Sequence, residues 1–464
     1  MASEKLFSRL TFCAGVGSVT GANFLFEISD PNNPGKTLRC LIDCGLTQGS
    51  HIADPVNWDP FPYDPKTIDI LFITHAHIDH IGRIPKLLFD GFHGSIYSTN
   101  ATKDLALPML LDTAHILGHS HEYDLDRIYT EEAVLKALSL WEGFEYHEPV
   151  ALPTWITAVF RDAGHVLGSA MIEFSRNGQK FLFTGDLGNS PSPILKDTEV
   201  VSDIDYMLME SVYGDRNHED REVRKDKFQE VVMANYNRKG TLVIPTFSLE
   251  RSQEILFELD DLVENKKIPP MPVYLDSPLG IHVTQVYKKY THYLNDAAQS
   301  QIRAGDDIFS FPGLRETLET QSSKDILEAP PPKVIIAGSG MSMGGRVLHH
   351  EHNYLPNENN TILIIGYQTV GSLGRRIEER QKTLWIMGQE VPMRARVEKI
   401  SGYSGHKDSD HLLLFVEGAK KKLKKVFLAM GEPKSSFFLA QRIREYLGVD
   451  TYAPTKVETI EIDF

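Results

Sequence analysis

His75-Ala76-His77-Ile78-Asp79-His80 constrains this chain more than any other stretch, because four of its six side chains are metal-ligand types. Upstream, Ile70-Leu71-Phe72-Ile73-Thr74 is a short apolar run with β-branched residues, the composition of a buried strand. Downstream, Ile81, Ile84, Leu87 and Leu88 recur at helical spacing. The ligand types therefore sit on a strand-to-helix turn, which can aim neighbouring side chains into one cavity. Neutral imidazole and carboxylate together suit zinc. Lone histidines scattered through a core would not produce this density.

The rest of the pattern requires a chain of several parts. At 464 residues it exceeds one ordinary core. Over the first two hundred or so residues, short strands alternate with helices. Strands are expected at Asn23–Ile28, Leu38–Asp43, Ile68–Thr74, Ser95–Thr99, Trp155–Asp162, Ala170–Phe174 and Lys180–Thr184. Helices are expected at Asp79–Phe89, Thr102–Ile116 and Glu131–Trp141. Asp43, His75, Asp186 and Glu210 all fall where strands stop, so one edge of the sheets carries the chemistry. From about Ser211 the units lengthen: helices Glu219–Arg238 and Glu250–Glu264 alternate with strands Thr241–Pro245, Pro272–Leu275, Val334–Ala337 and Thr361–Ile365. That alternation indicates a parallel α/β unit of its own. Short elements return from about Val391, where His406 lies in Ser401-Gly402-Tyr403-Ser404-Gly405-His406-Lys407-Asp408.

Composition excludes several classes. A net charge of −15 argues against a protein that coats nucleic acid by bulk electrostatics, though a metal site with a few arginines can still hold phosphate. The one dense basic run, Lys420–Lys425, reads as a solvated cap. No apolar stretch is long enough to span a bilayer, and the N-terminus lacks the apolar core of a signal peptide, so the expected address is the cytoplasm, with no membrane partner. Cys13, Cys40 and Cys44 are too few for a disulfide framework and read as small buried thiols. There is no P-loop, so nucleoside-triphosphatase chemistry lacks support.

Further ligand types are His165 in Asp162-Ala163-Gly164-His165-Val166-Leu167-Gly168-Ser169 and Asp186 in Phe183-Thr184-Gly185-Asp186, each beside glycines that permit close turns. Three nitrogens for one ion, a carboxylate and a nitrogen for another, and a bridging carboxylate make the inventory of a two-metal hydrolytic site.

With these residues in order, the chain resembles the metallo-β-lactamase superfamily, and within it the β-CASP branch of RNA-processing nucleases, the 3′-end-processing endonuclease type of bacteria, archaea and eukaryotes. Asp43, the His75–His80 run, His165 and Asp186 match the superfamily pattern. Glu210 in Glu210-Ser211-Val212-Tyr213-Gly214, His406, Asp276-Ser277-Pro278-Leu279, Gly338-Ser339-Gly340-Met341 and Gly366-Tyr367-Gln368 match the branch. The resemblance implies an α/β fold: a metallo-β-lactamase αββα sandwich in residues 1–210 and 391–464, with a parallel α/β β-CASP domain inserted at 211–390 to close over the metal cleft. It implies two Zn2+ per chain, the first on His75, His77 and His165, the second on Asp79 and His80, with Asp186 bridging. Asp43 would orient a ligand without touching metal. His406 would protonate the leaving oxygen, with Glu210 orienting it. The implied activity is hydrolysis of RNA phosphodiesters by zinc-activated water, cutting within the strand and also from an end, to leave 5′-phosphate and 3′-hydroxyl. A DNA-acting nuclease of the same fold, or a catalytically weakened paralogue that binds RNA or a partner, are the alternatives. The resemblance leaves room for self-association and for RNA-processing protein partners.

One position departs from the family. In Val426-Phe427-Leu428-Ala429-Met430-Gly431-Glu432, methionine stands where the branch has a histidine completing the second zinc site. A thioether is a poor zinc ligand beside imidazole and carboxylate. Either the second site is weak or empty, or Met430 fills space while water completes coordination. Outside the main set, the glycine-rich turn with Ser339 and Gly340, together with Arg346, Arg375 and Arg376, is read as contacting substrate phosphate. Ser248 is read as a helix cap. His115, His119 and His121, with no carboxylate partner in view, and His349, His350 and His352 are read as ordinary surface or core histidines.

Overall fold

The computed structural model describes residues 7–48, 54–153, 155–218, 221–369 and 371–464. The chain divides into two compact units: one from the residues up to Gln48 with Ala53–Asn217 and Gly405–Phe464, the other mainly from His218–Ser404.

The first unit holds two sheets. A seven-stranded sheet runs in the order Thr459–Ile462, Ser8–Ala14, Asn23–Asp30, Asn33–Ile42, Ile70–Phe72, Ser95–Thr99, Trp141–Phe144. Its first four strands are antiparallel and the remainder parallel. A six-stranded sheet runs Asp450–Tyr452, Lys425–Ala429, Tyr206–Glu210, Gln179–Phe183, Ala170–Arg176, Thr157–Asp162. The two pack face to face. Phe26 of the first sheet meets Phe174, Phe181 and Phe183 of the second at ring-centroid distances of 5.6, 5.1 and 5.4 Å. Each such buried ring contributes about 1.5–3 kcal/mol. The outer face of the six-stranded sheet buries Met207, Met209 and Leu428 against Leu412, Val416 and Leu439 of helices Ser409–Ala419 and Pro433–Leu447. Helix Asn100–Leu117 lies against the seven-stranded sheet. Layers of helix, sheet, sheet and helix result, and every residue of Tyr206–Glu210 is buried, as a strand covered on both faces should be.

The second unit carries a parallel sheet in the order Leu314–Glu316, Val273–Leu275, Lys333–Ala337, Thr241–Pro245, Thr361–Ile364, Arg396–Lys399. Beneath its helix Val347–Tyr354, the carboxyl of Glu351 is wholly buried and takes a hydrogen bond from Ser342 Oγ. Burial pushes this carboxyl up to about 8. Free glutamate in the unfolded chain titrates near ~4.3. Between these values the folded protein keeps a proton that the unfolded chain has released. The stabilisation is therefore complete below the lower value and is lost as pH rises to the upper one, by up to about 1.4 kcal/mol per pH unit. Glu351→Gln is expected to flatten this slope, read as denaturation midpoints at pH 5.5 and 8.0 in the two proteins.

Where elements depart from expectation, the reason is physical. The helix expected over Asp79–Phe89 breaks into Ile78–Ile81 and Ile84–Phe89, because Arg83 leaves helical geometry and Pro85 starts the second piece. The helix expected to reach Trp141 ends at Ser139. Trp141 instead pairs beside Ile96, with its indole N–H on Ser98 Oγ. The first two residues of the helix expected at Glu219–Arg238 lie outside the described residues, and the helix spans Arg221–Asn237. The cysteines are buried and unpaired, with Cys13 and Cys44 pushed up to about 12 by burial. No helix among the described residues is long and apolar enough to cross a membrane.

Candidate metal centre

The ends of the strands in the first unit supply the site. After Ile70–Phe72 the chain passes through Ile73 and Thr74 into the His75–His77 turn, and His77 stands at the start of the short helix Ile78–Ile81. After Asn33–Ile42, Asp43 adopts a left-handed backbone (φ 59°) that turns its carboxylate back into the sheet edge. There Asp43 Oδ1 accepts from Thr74 N at 2.8 Å, and Oδ2 accepts from Thr74 Oγ1 at 2.8 Å and faces His80 Nδ1 at 2.7 Å. With Nδ1–H of His80 donated to Asp43, the lone pair of His80 is left on Nε2. That atom is buried with no hydrogen-bond partner among the described residues, 3.4 Å from Asp186 Oδ2 and 3.9 Å from Asp79 Oδ2.

Three more imidazoles converge nearby. His77 Nδ1 lies 3.0 Å from His75 Nε2 and 3.2 Å from His165 Nε2, while Asp186 Oδ2 lies 3.5 Å from His75 Nε2 and 3.6 Å from His165 Nε2. His165 Nδ1 donates to Gly405 O at 3.0 Å, which again leaves Nε2 as the acceptor. Burial, reinforced at His75 by His80 and at His165 by His406, drives both imidazoles well below the usual histidine range, so they are neutral. Neutral nitrogens and a carboxylate facing one another across 3–4 Å are a poor packing arrangement alone and a good cation cage. Asp186 follows Gly185, whose left-handed backbone lies so close to Thr74 that an added Cβ would come within 2.7 Å of it. Asp186 Oδ1 is also buried without a hydrogen bond among the described residues.

On the far side of Asp186, His406 Nδ1 lies 3.3 Å from Glu210 Oε1 and 3.9 Å from Asp186 Oδ2. Glu210 Oε1 also accepts from Leu187 N at 2.6 Å. Burial opposes the charge on His406, but Glu210 and Asp186 outweigh it and lift the imidazole to about 9. Burial raises Asp79 to about 6. Two groups of ligand atoms thus share Asp186: His75, His77 and His165 on one side, Glu210 and His406 on the other, each group within 4.8 Å. Asp79 and His80 approach Asp186 from a third direction. Thr74, Gly405 and Leu187, which hold these side chains in place, escaped the sequence reading. Their one signal is adjacency to His75, His406 and Asp186.

Met430 is part of the core. It is 2% exposed, its amide donates to Gly15 O at 2.7 Å, and its sulfur lies 2.8 Å from where a Cβ on Gly15 would stand. It lines a cavity of about 10 Å³ with His80, Asp43, Thr74 and Glu210. That is barely space for one water.

In the second unit, Ser339 Oγ accepts from Met343 N at 3.0 Å and Gly340 O accepts from Gln368 Nε2 at 2.9 Å. Arg346 is already engaged: its guanidinium reaches Asp276 Oδ1 at 2.8 Å, Thr317 O at 2.6 Å and Leu318 O at 2.7 Å. Arg375 Nε reaches Glu379 at 2.8 Å, and Arg376 Nε is buried without a hydrogen bond among the described residues. His350 is buried against Asp276, at 2.6 Å. His121, read as lacking a carboxylate, faces Asp126 at 2.8 Å. Ser248 does not cap the helix Arg251–Glu264, whose N-cap is Glu250; it meets Ser277 Oγ at 3.1 Å. The basic run is neutralised locally, with Lys422 and Lys424 on Asp205 and Lys425 on Asp450.

Comparison with known proteins identifies the domains. Residues 35–212 match a metallo-beta-lactamase superfamily domain, 252–377 a Beta-Casp domain, and 390–454 a Zn-dependent metallo-hydrolase RNA specificity domain. Ribonuclease TTHA0252 of Thermus thermophilus is 36% identical over 403 residues, covering 87% of this chain and 90% of its own length. An RNase J-like protein of Methanocaldococcus jannaschii is 30% identical over 422 residues, covering 90% and 93%. The transcription termination factor FttA of Methanosarcina mazei is 29% identical over 477 residues, covering 99% and 72%. A crystal structure of a protein of unknown function from Enterococcus faecalis shares the fold, with a TM-score of 0.55 at 12% identity, over 98% of this chain and 100% of that one. The chain belongs to the metallo-β-lactamase superfamily, in the branch that carries a Beta-Casp domain, and is a zinc-dependent metallo-hydrolase.

Proposed function

We propose that this protein is a ribonuclease that hydrolyses RNA phosphodiesters with two zinc ions, cutting within the strand and also from an end. One observation carries the reading: His80 Nε2 and Asp186 Oδ1 are buried at the meeting point of the ligand groups with no hydrogen bond among the described residues. Leaving such atoms unfilled costs about 1–3 kcal/mol each. His75, His77 and His165 would hold one ion, Asp79 and His80 the second, and Asp186 both. We assign the second ion to Asp79 and His80 because Glu210 Oε1 is already engaged by Leu187 N and His406. When bound, zinc lowers the pKa of water and offsets charge building on phosphoryl oxygens.

The chain's own groups do the rest. Asp43 fixes the ring of His80. Glu210 holds His406 at Nδ1, so that the opposite nitrogen delivers a proton to the leaving oxygen. Ser339, Gly340, Arg375 and Arg376 would meet substrate phosphates, with Arg346 bracing their turn through Asp276. Because Met430 belongs to the core, only Asp79, His80 and Asp186 would hold the second ion, against four residues for the first, and it would exchange more readily. The unpaired, buried cysteines suit the reducing cytoplasm.

The test is metal removal. Chelation is expected to abolish cleavage of a single-stranded RNA, and added zinc to restore it with 5′-phosphate ends on the products. Zinc-loaded protein that leaves such RNA intact would overturn the reading.

A further inference from the structure

Beyond the metal centre, the second unit holds a cationic cleft of about 390 Å³ at the edge strand Arg396–Lys399. Arg380, Lys382 and Arg396 line it over Met393 and Val397, with Glu398 as the one carboxylate. Arg380, Lys382 and Arg396 make no ion pair among the described residues, although the chain has 63 acidic side chains against 48 lysines and arginines. The contrast with the Lys420–Lys425 run is direct, since there Lys420, Lys422, Lys424 and Lys425 each have a carboxylate. Behind the cleft stands Arg238, close enough to Arg396 to be repelled by it. Its Nε is buried without a hydrogen bond among the described residues.

Three exposed cations around one cleft, against a single carboxylate, give an acidic chain a local positive field that attracts an anion. Simple protection of a sheet edge needs only one or two scattered charges. Part of the cleft, Met393 to Glu398, falls inside the 390–454 stretch that matches an RNA specificity domain.

We infer that the Arg380–Lys382–Arg396 cleft binds the phosphodiester backbone of an RNA strand, at a site made of residues other than those assigned to the metal centre or to the Ser339–Gly340 turn. This rests on the ribonuclease reading for the identity of the polyanion. The contact is to phosphate, so it adds affinity without base preference and weakens with salt.

The experiment separates the two ideas by measuring binding and cleavage apart. Affinity for a single-stranded 20-nucleotide RNA is measured over a salt series in three proteins: the full chain, the triple variant Arg380→Gln/Lys382→Gln/Arg396→Gln, and a charge-matched control, Lys420→Gln/Lys421→Gln/Lys456→Gln. Thermal melting confirms that each is folded. The cleft variant is expected to bind at least tenfold more weakly at low salt, with a log–log salt slope shallower by about 2, the value for three lost contacts to a single strand. The control should stay within about twofold of the parent. Equal losses in both variants, or none in the cleft variant, would overturn the inference. Failure of the ribonuclease reading would appear separately, as absent cleavage by the parent protein.

Discussion

Asp186→Ala is expected to lower RNA cleavage by at least about a thousandfold while leaving the melting transition of the chain in place. The geometry makes this residue the point through which every ligand group communicates. Its Oδ2 lies 3.5 Å from His75 Nε2, 3.4 Å from His80 Nε2, 3.6 Å from His165 Nε2 and 3.9 Å from His406 Nδ1. Burial opposes its charge, yet His80 and His406 hold the carboxyl well below its ordinary range, so it is an anion. Under the proposed ligation its removal would take one donor from each ion at once. The fold should survive, because Asp186 accepts no hydrogen bond from a backbone group among the described residues and lies in the loop that follows Gln179–Phe183. Zinc per chain and cleavage rate, measured together, check this. Parental cleavage by the variant would remove Asp186 from the reaction.

Gly45→Ala should do more damage to the molecule than any ligand substitution. A Cβ at this position would stand 1.5 Å from Asp79 O and 2.0 Å from its carbonyl carbon, both backbone atoms that cannot rotate away. The neighbouring backbone is fully engaged: Cys44 N donates to His80 O at 2.7 Å, Leu46 N to Ile78 O at 3.0 Å, and Ala22 N to Asp79 O at 2.9 Å. One of the two segments must move, and the second carries Asp79 and His80. A loss of more than about 3 kcal/mol is expected, the range of severe overpacking. Zinc at Asp79 and His80 should fall further than zinc at His75, His77 and His165. Denaturant melting with zinc stoichiometry reads both effects. A variant with parental stability and metal content would show that this close approach is not required.

The sequence carried much of this molecule in plain view, and the reason is local. Ligand residues crowd into six positions behind a recognisable strand, and glycines mark the turns at His165 and Asp186. Apolar runs such as Thr241–Pro245 are bounded by clear breaks, so the four inner strands of the second unit's parallel sheet are readable, whereas the short, largely exposed edge strands Leu314–Glu316 and Arg396–Lys399 are not. What escaped depends on residues far apart in the chain. Ser8–Ala14 becomes a strand because it pairs with Asn23–Asp30 and Thr459–Ile462, the latter about 450 positions away. Trp141 reads as the end of a helix until Ser98 Oγ accepts its indole N–H. Arg346 reads as a phosphate ligand until Asp276, Thr317 and Leu318 occupy its guanidinium. At Met430 the sequence leaves two readings, a weak second site or a side chain that fills space, and the structure places the side chain in the core beside Gly15.

The order of the strands has a consequence for how the protein is made. Tyr206–Glu210, which ends in Glu210, is flanked by Lys425–Ala429, and Ser8–Ala14 is flanked by Thr459–Ile462. His165 is oriented by the carbonyl of Gly405, and His406 comes from the same late segment. A chain emerging from the ribosome has therefore produced all six assigned zinc ligands more than two hundred residues before it can brace them. Such distant pairings form slowly and late. Hydrolytic competence is withheld until translation has passed Gly405, so the active state is timed by the ribosome as well as supplied by the metal.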